Sequence, residues 1–138
     1  MPIYLLDTDH ISFVQRGDAN VTARYDATSE EEIIVSVVSY EEQLRGRLVM
    51  VSQAKTKEQL SRAYWHLLDM QVYFCGMHVV DFGKVETTIY ESLKKLHRRT
   101  GTMDLRIAAT ALAHNAILVT RNTQDFAEIE NLKIENWA

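Results

Sequence analysis

Residues 3–10, IYLLDTDH, pass directly from a short apolar run into two carboxylates, Asp7 and Asp9. A short, continuous apolar run is typical of a strand that is buried on both faces. One Asp after such a strand is ordinary, because Asp favours turns. Two carboxylates at the end of the first strand instead predict a site, provided that other carboxylates reach the same place.

The same alternation of apolar runs and turns continues along the chain. Apolar runs predict strands at 3–6, 33–38, 78–82, 116–120 and, as a short edge strand, 132–137. Apolar residues at every third or fourth position predict helices at 57–75, 84–99 and 102–114. Strands that alternate with helices predict an α/β fold with a mainly parallel sheet of five strands.

Composition restricts the protein class. The 138 residues are 46% hydrophobic, which is enough for one domain, over residues 1–138, to fold around its own core. The single cysteine, Cys75, excludes an intramolecular disulfide framework, and its apolar neighbours predict that it is buried. No apolar run has the length of a membrane span and no secretory signal is recognisable, so we expect a cytoplasmic protein.

Helix capping explains each of the later acidic residues when it is taken alone. Ser39 and Glu42 have the spacing of a capping box. Asp104 falls in the first turn of a helix whose N-cap is predicted to be Thr102. The segment from Asn122 to Asp125 would cap a last short helix in the same way.

Capping does not explain why these residues share one location. In a parallel α/β sheet, strand carboxyl ends and the starts of the following helices lie on the same edge, so Asp7, Asp9, Glu42 and Asn122 are expected there. Asp104 joins them if its helix also begins there. Crowded carboxylates repel one another unless a cation is present, and oxygen ligands favour Mg²⁺ or Mn²⁺. Such ions commonly activate water for phosphoryl transfer.

Basic residues are concentrated in one segment of a chain whose net charge is −4. A local basic face of this kind can contact nucleic-acid phosphates, although a solvated helix end is an equal alternative. The candidate phosphate contacts are Lys94, Lys95, Arg98, Arg99 and Arg106.

His10 follows the first acidic pair directly. It could act as a general base, but a histidine in this position is more often a turn residue or a partner of a neighbouring side chain.

Four segments, LLDTDHIS, SVVSYEEQLRG, TGTMDLRIAATALAHNAILVTRNTQDF and LKIENW, resemble the PIN-domain family, and within it the VapC-type toxins of toxin–antitoxin pairs. The resemblance spans nearly the whole chain and keeps the order and spacing of the motifs. It implies an α/β/α sandwich that acts as a Mg²⁺-dependent endoribonuclease on an RNA substrate. It also implies an antitoxin as protein partner and a homodimer.

The resemblance assigns the acidic residues one by one. Asp7, Glu42 and Asp104 match the first three acidic positions, with Asp7 and Asp104 holding the ion and Glu42 as ligand or as the base that positions water. Asn122 stands two residues after Thr120, where many relatives have the fourth acid, so Asp125 is the candidate replacement. The residues expected to support these ligands are Thr8, Asp9, Thr120 and Asn122.

The substrate and the products follow from the resemblance alone. A structured target such as a transfer RNA is expected, with 5′-phosphate and 3′-hydroxyl ends after cleavage.

Two other functions fit part of the pattern. Asp7, Asp9 and Thr120 resemble the motifs of haloacid-dehalogenase-like phosphatases, but the lysine and paired acids that such enzymes need have no room after Thr120. A degenerate PIN domain could instead bind RNA or protein without cleavage, and Asn122 permits that alternative. Three retained acidic positions argue against it.

Overall fold

The computed structural model describes residues 2–138 and contains a single five-stranded sheet with helices on both faces. The strands are Tyr4–Leu6 (β1), Ile33–Ser36 (β2), Val79–Val80 (β3), Ile117–Val119 (β4) and Lys133–Glu135 (β5). The helices are Thr8–Arg16 (α1), Ala19–Asp26 (α2), Val37–Gln53 (α3), Lys57–Cys75 (α4), Lys84–Leu96 (α5), Thr102–Ala113 (α6) and Thr123–Phe126 (α7). A short 3₁₀ helix, Glu30–Glu32, precedes β2.

All strand pairs in the sheet are parallel, and the strand order is β3-β2-β1-β4-β5. The chain winds from β1 to β2 and β3, and then returns to place β4 on the other side of β1. Leu6 pairs with Val35 of β2 and with Val119 of β4, so these three strands end at the same level. The predicted α/β fold with a five-stranded parallel sheet is confirmed, and the direction of winding reverses between β1 and β4.

Alternate residues of the strands point into two apolar layers. Leu5 and Leu118 pack against α5, α6 and α7, whereas Leu6 and Val119 pack against α1, α2 and α4. The fold is therefore the three-layer α/β/α sandwich that the resemblance implied. No helix within residues 2–138 combines the length and the apolar character needed to span a bilayer.

The predicted capping box of Ser39 and Glu42 is wrong. Helix α3 begins at Val37, and the Ser36 Oγ accepts the Val38 N–H at 3.0 Å. The strand therefore stops earlier than its apolar run, because β2 pairs with β1 only as far as Val35. Both Ser39 and Glu42 thus lie inside the helix, where their side chains are free for other contacts.

The start of α6 also differs from the prediction. Gly101, and not Thr102, is the N-cap of α6, and its carbonyl accepts the Leu105 N–H at 3.0 Å. Helix α5 already ends at Leu96. Thr102 is consequently the first residue of α6 and not its cap.

Helix α4 confirms the predicted range 57–75 but turns part of its apolar surface to solvent. Met70 and Phe74 are buried in the core, whereas Cys75, predicted to be buried, is exposed. The apolar neighbours of Cys75 take the core positions because the helical turn places the cysteine on the outer side. Exposed apolar side chains form what we call the α4 stripe, which consists of Leu60, Tyr64, Trp65, Leu68 and Val72.

Candidate functional site

Asp7 is fixed where β1 ends and α1 begins. Its backbone N–H donates to the Val119 carbonyl of β4 at 3.0 Å, which continues the pairing of β1 with β4. Its Oδ1 accepts the backbone N–H of His10 at 2.8 Å, so the side chain also caps α1. The carboxylate is 7% exposed and held by the rigid centre of the sheet.

The His10 ring supports the same carboxylate. It is completely buried, with Nδ1 3.1 Å from Asp7 Oδ1 and Nε2 3.4 Å from the backbone N–H of Trp137. A ring with its hydrogen on Nδ1 satisfies both contacts, since Nδ1 then donates to Asp7 and Nε2 accepts from Trp137. The geometry places His10 as a partner of Asp7 rather than as a solvent-facing base.

Glu42 reaches the site from the second turn of α3. Its Oε1 accepts a hydrogen bond of 2.6 Å from the Thr8 hydroxyl, which joins α1 to α3. The Thr8 Oγ1 also lies 3.0 Å from the hydroxyl of the buried Ser39. Because Thr8 holds one of its oxygens, Glu42 presents the other oxygen from a restrained position.

Asp104 is a half-buried carboxylate on which the other negative charges of the site act. Burial raises its pKa above the ordinary value, and the surrounding negative charges raise it further. In decreasing order of effect, those charges belong to Glu42, Asp125, Asp7 and Asp9. The structure therefore brings the predicted acidic residues together, because α6 runs antiparallel to β4 and begins at the carboxyl edge of the sheet.

The donor chemistry of the cluster fits a hard divalent cation. Within residues 2–138, hydrogen bonds reach Asp7 only at Oδ1 and Glu42 only at Oε1, and none reaches the Asp104 carboxylate. Each of the three side chains therefore has at least one carboxylate oxygen that accepts no hydrogen bond, and carboxylate oxygens are the ligands that Mg²⁺ prefers. No three acidic, histidine or cysteine side chains in this part of the chain are already arranged around one ion position. The residues fit a cation in charge and in ligand type, and binding would draw them together.

The turn after β4 separates the roles of Thr120, Asn122 and Asp125. Thr120 is buried, and its Oγ1 accepts the Asn122 backbone N–H at 3.0 Å, which shapes the turn. Asn122 occupies the N-cap position of α7 but makes no capping hydrogen bond with its side chain, contrary to the prediction. Asp125 is the residue of this turn whose charge acts on Asp104.

The predicted basic residues divide into three groups. Arg99 lines a depression together with Asp104 and Asp125, so it lies beside the acidic cluster. Lys94 and Arg106 stack on the ring of Tyr90, at 5.0 and 5.3 Å from its centroid. Lys95 and Arg98 are exposed.

Comparison with known proteins identifies the family. The model of the PIN domain family matches residues 4–132. The chain belongs to the PIN domain family. The match covers β1 to β4 and ends just before β5, and it includes every acidic residue of the cluster.

Known PIN proteins that resemble this chain are named as ribonucleases or occur in toxin–antitoxin complexes. Ribonuclease VapC1 of Haemophilus influenzae strain R2866 is 29% identical over 139 residues and is covered to 98%, as is this chain. In the complex of VapBC2 from Rickettsia felis with a promoter DNA fragment, the matching chain is 29% identical with a TM-score of 0.73, at 99% coverage of both chains. In VapBC-1 from nontypeable H. influenzae, the matching chain is 26% identical with a TM-score of 0.72, at 98% coverage of both chains.

The resemblance to VapC-type PIN domains is thereby confirmed, and nothing supports the phosphatase alternative. Sequence reasoning missed the roles of Ser39 and Trp137, which support the site through Thr8 and His10. The spacing of Ser39 in the sequence pointed to a cap instead. Trp137 is 127 positions from His10, so no local pattern connects the two.

Proposed function

We propose that this PIN domain is a Mg²⁺-dependent endoribonuclease, with Mn²⁺ as a possible substitute, and that it acts as the toxin of a toxin–antitoxin pair. The observation that carries the proposal is the convergence of four carboxylates on Asp104, which raises its pKa. A site that only binds a neutral partner has no need of this repulsion. Similarity to proteins named Ribonuclease VapC supports the same activity.

Asp7 and Asp104 are the proposed principal ligands of the ion, with Glu42 as a ligand or as the base that orients water. A bound divalent ion would supply an acidified water and offset charge on the phosphate oxygens. Asp125 would add a further carboxylate on the side of α7. His10 keeps Asp7 in place and Thr8 does the same for Glu42, so the two carboxylates need little reorganisation.

The substrate is proposed to be a structured RNA, with transfer RNA as the first candidate by family analogy. Hydrolysis by a metal-activated water would leave 5′-phosphate and 3′-hydroxyl ends. Among the proposed phosphate contacts, Arg99 lines the depression that contains Asp104 and Asp125, and Asp9 and Asn122 would border the entrance. The remaining proposed contacts are Lys94, Lys95, Arg98 and Arg106. A toxin that acts on such RNA would work in the cytoplasm.

Brief induction of the chain in a bacterial host tests this function. We expect growth arrest and new, discrete 5′ ends when RNA ends are mapped across the transcriptome. The purified chain should produce the same ends in the presence of Mg²⁺, lose this activity in EDTA and regain it when Mg²⁺ or Mn²⁺ is restored. Cleavage that persists in EDTA would contradict the metal-dependent mechanism, and the absence of any new ends would contradict the ribonuclease.

A PIN domain that binds RNA without cleavage is the second candidate. It is favoured by Asn122 at the fourth acidic position and by the open arrangement of the carboxylates. The induction experiment separates the two, because a binding module would slow growth without creating RNA ends.

The α4 stripe is the proposed docking face of the antitoxin. Its five apolar side chains lie along one side of a helix, and a contiguous apolar patch is typical of a protein interface. Solved relatives in which the matching chain is part of a VapBC complex support an antitoxin as partner. The alternative is that a second copy of the chain covers the α4 stripe, in a homodimer formed through α3 and α4.

We expect Leu68→Glu to weaken antitoxin binding at least about 100-fold, because a charge replaces an apolar contact in the buried centre of an interface. Leu68 is 64% exposed in the free chain, so the substitution should leave folding and RNA cleavage unchanged. The matched control is Leu96→Glu on α5, a leucine that is 76% exposed and lies outside the stripe.

Titration calorimetry with the co-encoded antitoxin, together with light scattering of the isolated chain, measures both effects. Unchanged antitoxin affinity of Leu68→Glu would exclude the stripe as its docking face. Conversion of a dimer to a monomer by the same substitution would assign the stripe to the homodimer instead.

A further inference from the structure

Two arginines stack on one aromatic ring near the acidic cluster. The guanidinium carbons of Arg16 and Arg121 lie 5.1 and 5.0 Å from the centroid of the Phe13 ring. Both arginines are exposed, and neither takes part in an ion pair within residues 2–138. Two cations thus lie beside one aromatic ring, and neither makes a direct ion pair with a carboxylate within the described residues.

The fold places this pair next to Asp7. Arg121 follows Thr120 directly, and the preceding Val119 carbonyl accepts the Asp7 N–H at 3.0 Å. On the other side, the Phe13 ring meets the His10 ring edge-on, with centroids 5.5 Å apart, and His10 contacts the Asp7 carboxylate. Asp7 and the arginine pair are therefore connected through two side chains, Phe13 and His10.

The pair and Arg99 lie on different layers of the sandwich. Phe13 packs into the layer formed by α1, α2 and α4, whereas Arg99 belongs to the connection between α5 and α6 on the other face. The acidic edge of the sheet lies between these two layers. A nucleic-acid strand that crosses the acidic edge can therefore meet positive charge on both sides.

Structural roles account for only part of this arrangement. The last turn of α1 favours a cation at Arg16, because the helix dipole is negative there. That argument does not apply to Arg121, which follows a strand. Bringing a second cation to the same ring costs free energy by repulsion, which the nearby carboxylates offset in part and a bound anion beside the arginines would offset further.

Guanidinium groups that stack on a ring are well prepared to bind phosphate. Stacking uses the face of the planar group and leaves its N–H edges available for paired hydrogen bonds to phosphate oxygens. The ring also restricts the arginine side chains, so less conformational entropy is lost when the ligand binds.

We propose that Phe13, Arg16 and Arg121 form a clamp for a backbone phosphate of the RNA substrate on the Asp7 side of the acidic cluster. The clamp rests on the proposed ribonuclease function and adds a position for the substrate strand. It recognises phosphate and carries no preference for a base. Its contribution is a sequence-independent and salt-dependent part of the binding free energy.

RNA binding as a function of salt tests the clamp. The probe is fluorescein-labelled oligouridylate, and the Asp104→Asn background prevents cleavage during the titration. With Arg16→Gln and Arg121→Gln combined, we expect about tenfold weaker binding near 0.1 M salt. The slope of log K against log salt should become shallower by about 1.4, as for two lost phosphate contacts to a single strand.

The control carries the same change of net charge elsewhere. Arg62→Gln with Lys133→Gln removes two exposed cations that lie outside the proposed clamp, one on α4 and one at the amino end of β5. This control should keep the parental slope and affinity. Arg16→Lys with Arg121→Lys keeps the charge but loses the planar fork, and should give an intermediate affinity. Melting temperatures of all variants establish that each is folded.

The outcomes distinguish the clamp from the function on which it rests. Equal losses in the Gln pair and in the control would mean that only net charge matters, which overturns the clamp. Parental binding by the folded Gln pair, while the wild type cuts RNA, would overturn the clamp alone. If the Asp104→Asn parent binds no RNA and the wild type cuts none, both the proposed clamp and the proposed ribonuclease function are wrong.

Discussion

Asp104→Asn is expected to lower the rate of RNA cleavage at least about 1,000-fold, measured with the purified chain at saturating Mg²⁺. Loss of a ligand to the catalytic ion removes several kcal/mol of transition-state stabilisation, and each 1.36 kcal/mol corresponds to about a factor of ten. The amide keeps the shape of the carboxylate but not its charge. The control is Asp69→Asn, an exposed acid in the middle of α4 that should retain the wild-type rate.

In the metal-free chain, Asp104→Asn should raise the stability of the fold although it lowers the activity. The pKa of Asp104 is raised in the fold above its ordinary value of 3.8, so the ionised side chain destabilises the protein at neutral pH. That penalty is present above the raised pKa and disappears as the pH falls through it and below the ordinary value. Asp104→Asn should therefore melt at a higher temperature than the wild type at pH 7, and at the same temperature in acid.

With Mg²⁺ present, the wild type should melt at a higher temperature than Asp104→Asn, because the ion binds only the folded wild type with high affinity. Differential scanning fluorimetry with and without Mg²⁺ measures both effects. A variant that melts lower than the wild type without metal would show that Asp104 has a structural role instead.

Trp137→Ala is expected to reduce the free energy of unfolding by about 3–5 kcal/mol, the usual cost of truncating a buried Trp. The ring is 3% exposed and lies 5.3 Å from the ring of Tyr4, with the Arg24 guanidinium 5.2 Å from its other side. Its Nε1–H donates to Glu135 Oε1 at 3.1 Å. The substitution thus removes contacts that join β1, α2 and the segment after β5.

Urea denaturation of three variants checks this value. Trp137→Phe keeps most of the apolar contact and should lose about 1–2 kcal/mol less than the alanine variant. Leu96→Ala, at an exposed position, should change the stability by no more than about 0.5 kcal/mol. A loss below about 1 kcal/mol for Trp137→Ala would mean that the ring contributes little to the packing of the α1 and α2 layer.

The sequence was sufficient for those features that depend on nearby residues. The apolar run before Asp7 identifies β1, and alternation of strands and helices implies a parallel sheet whose carboxyl edge collects Asp7, Glu42 and Asp104. Helix boundaries were less predictable, because a cap depends on where the preceding strand stops. Pairing with β1 ends at Val35 and β2 itself ends at Ser36, so Ser36 is the N-cap of α3 and Glu42 lies inside the helix, where it contacts Thr8.

Other features depend on residues that are distant in the chain. The periodicity of α4 identifies an apolar face, but periodicity does not indicate whether that face meets the core or a partner. The hydrogen bond from Thr8 to Glu42 spans 34 positions, and the stacking of Arg121 on Phe13 arises only because β4 lies beside β1. Sequence patterns describe single elements, and such contacts form only after the elements have packed.

The contact of Trp137 with His10 has a consequence for the order of events during synthesis. Asp7 is synthesised well before the residue whose backbone N–H completes its support, because that residue follows His10 by 127 positions. Strand β5, which accompanies Trp137, also emerges late. A nascent chain that still retains these residues in the exit tunnel therefore lacks a finished site. The order of synthesis thus makes this support of Asp7 one of the last contacts of the site to form.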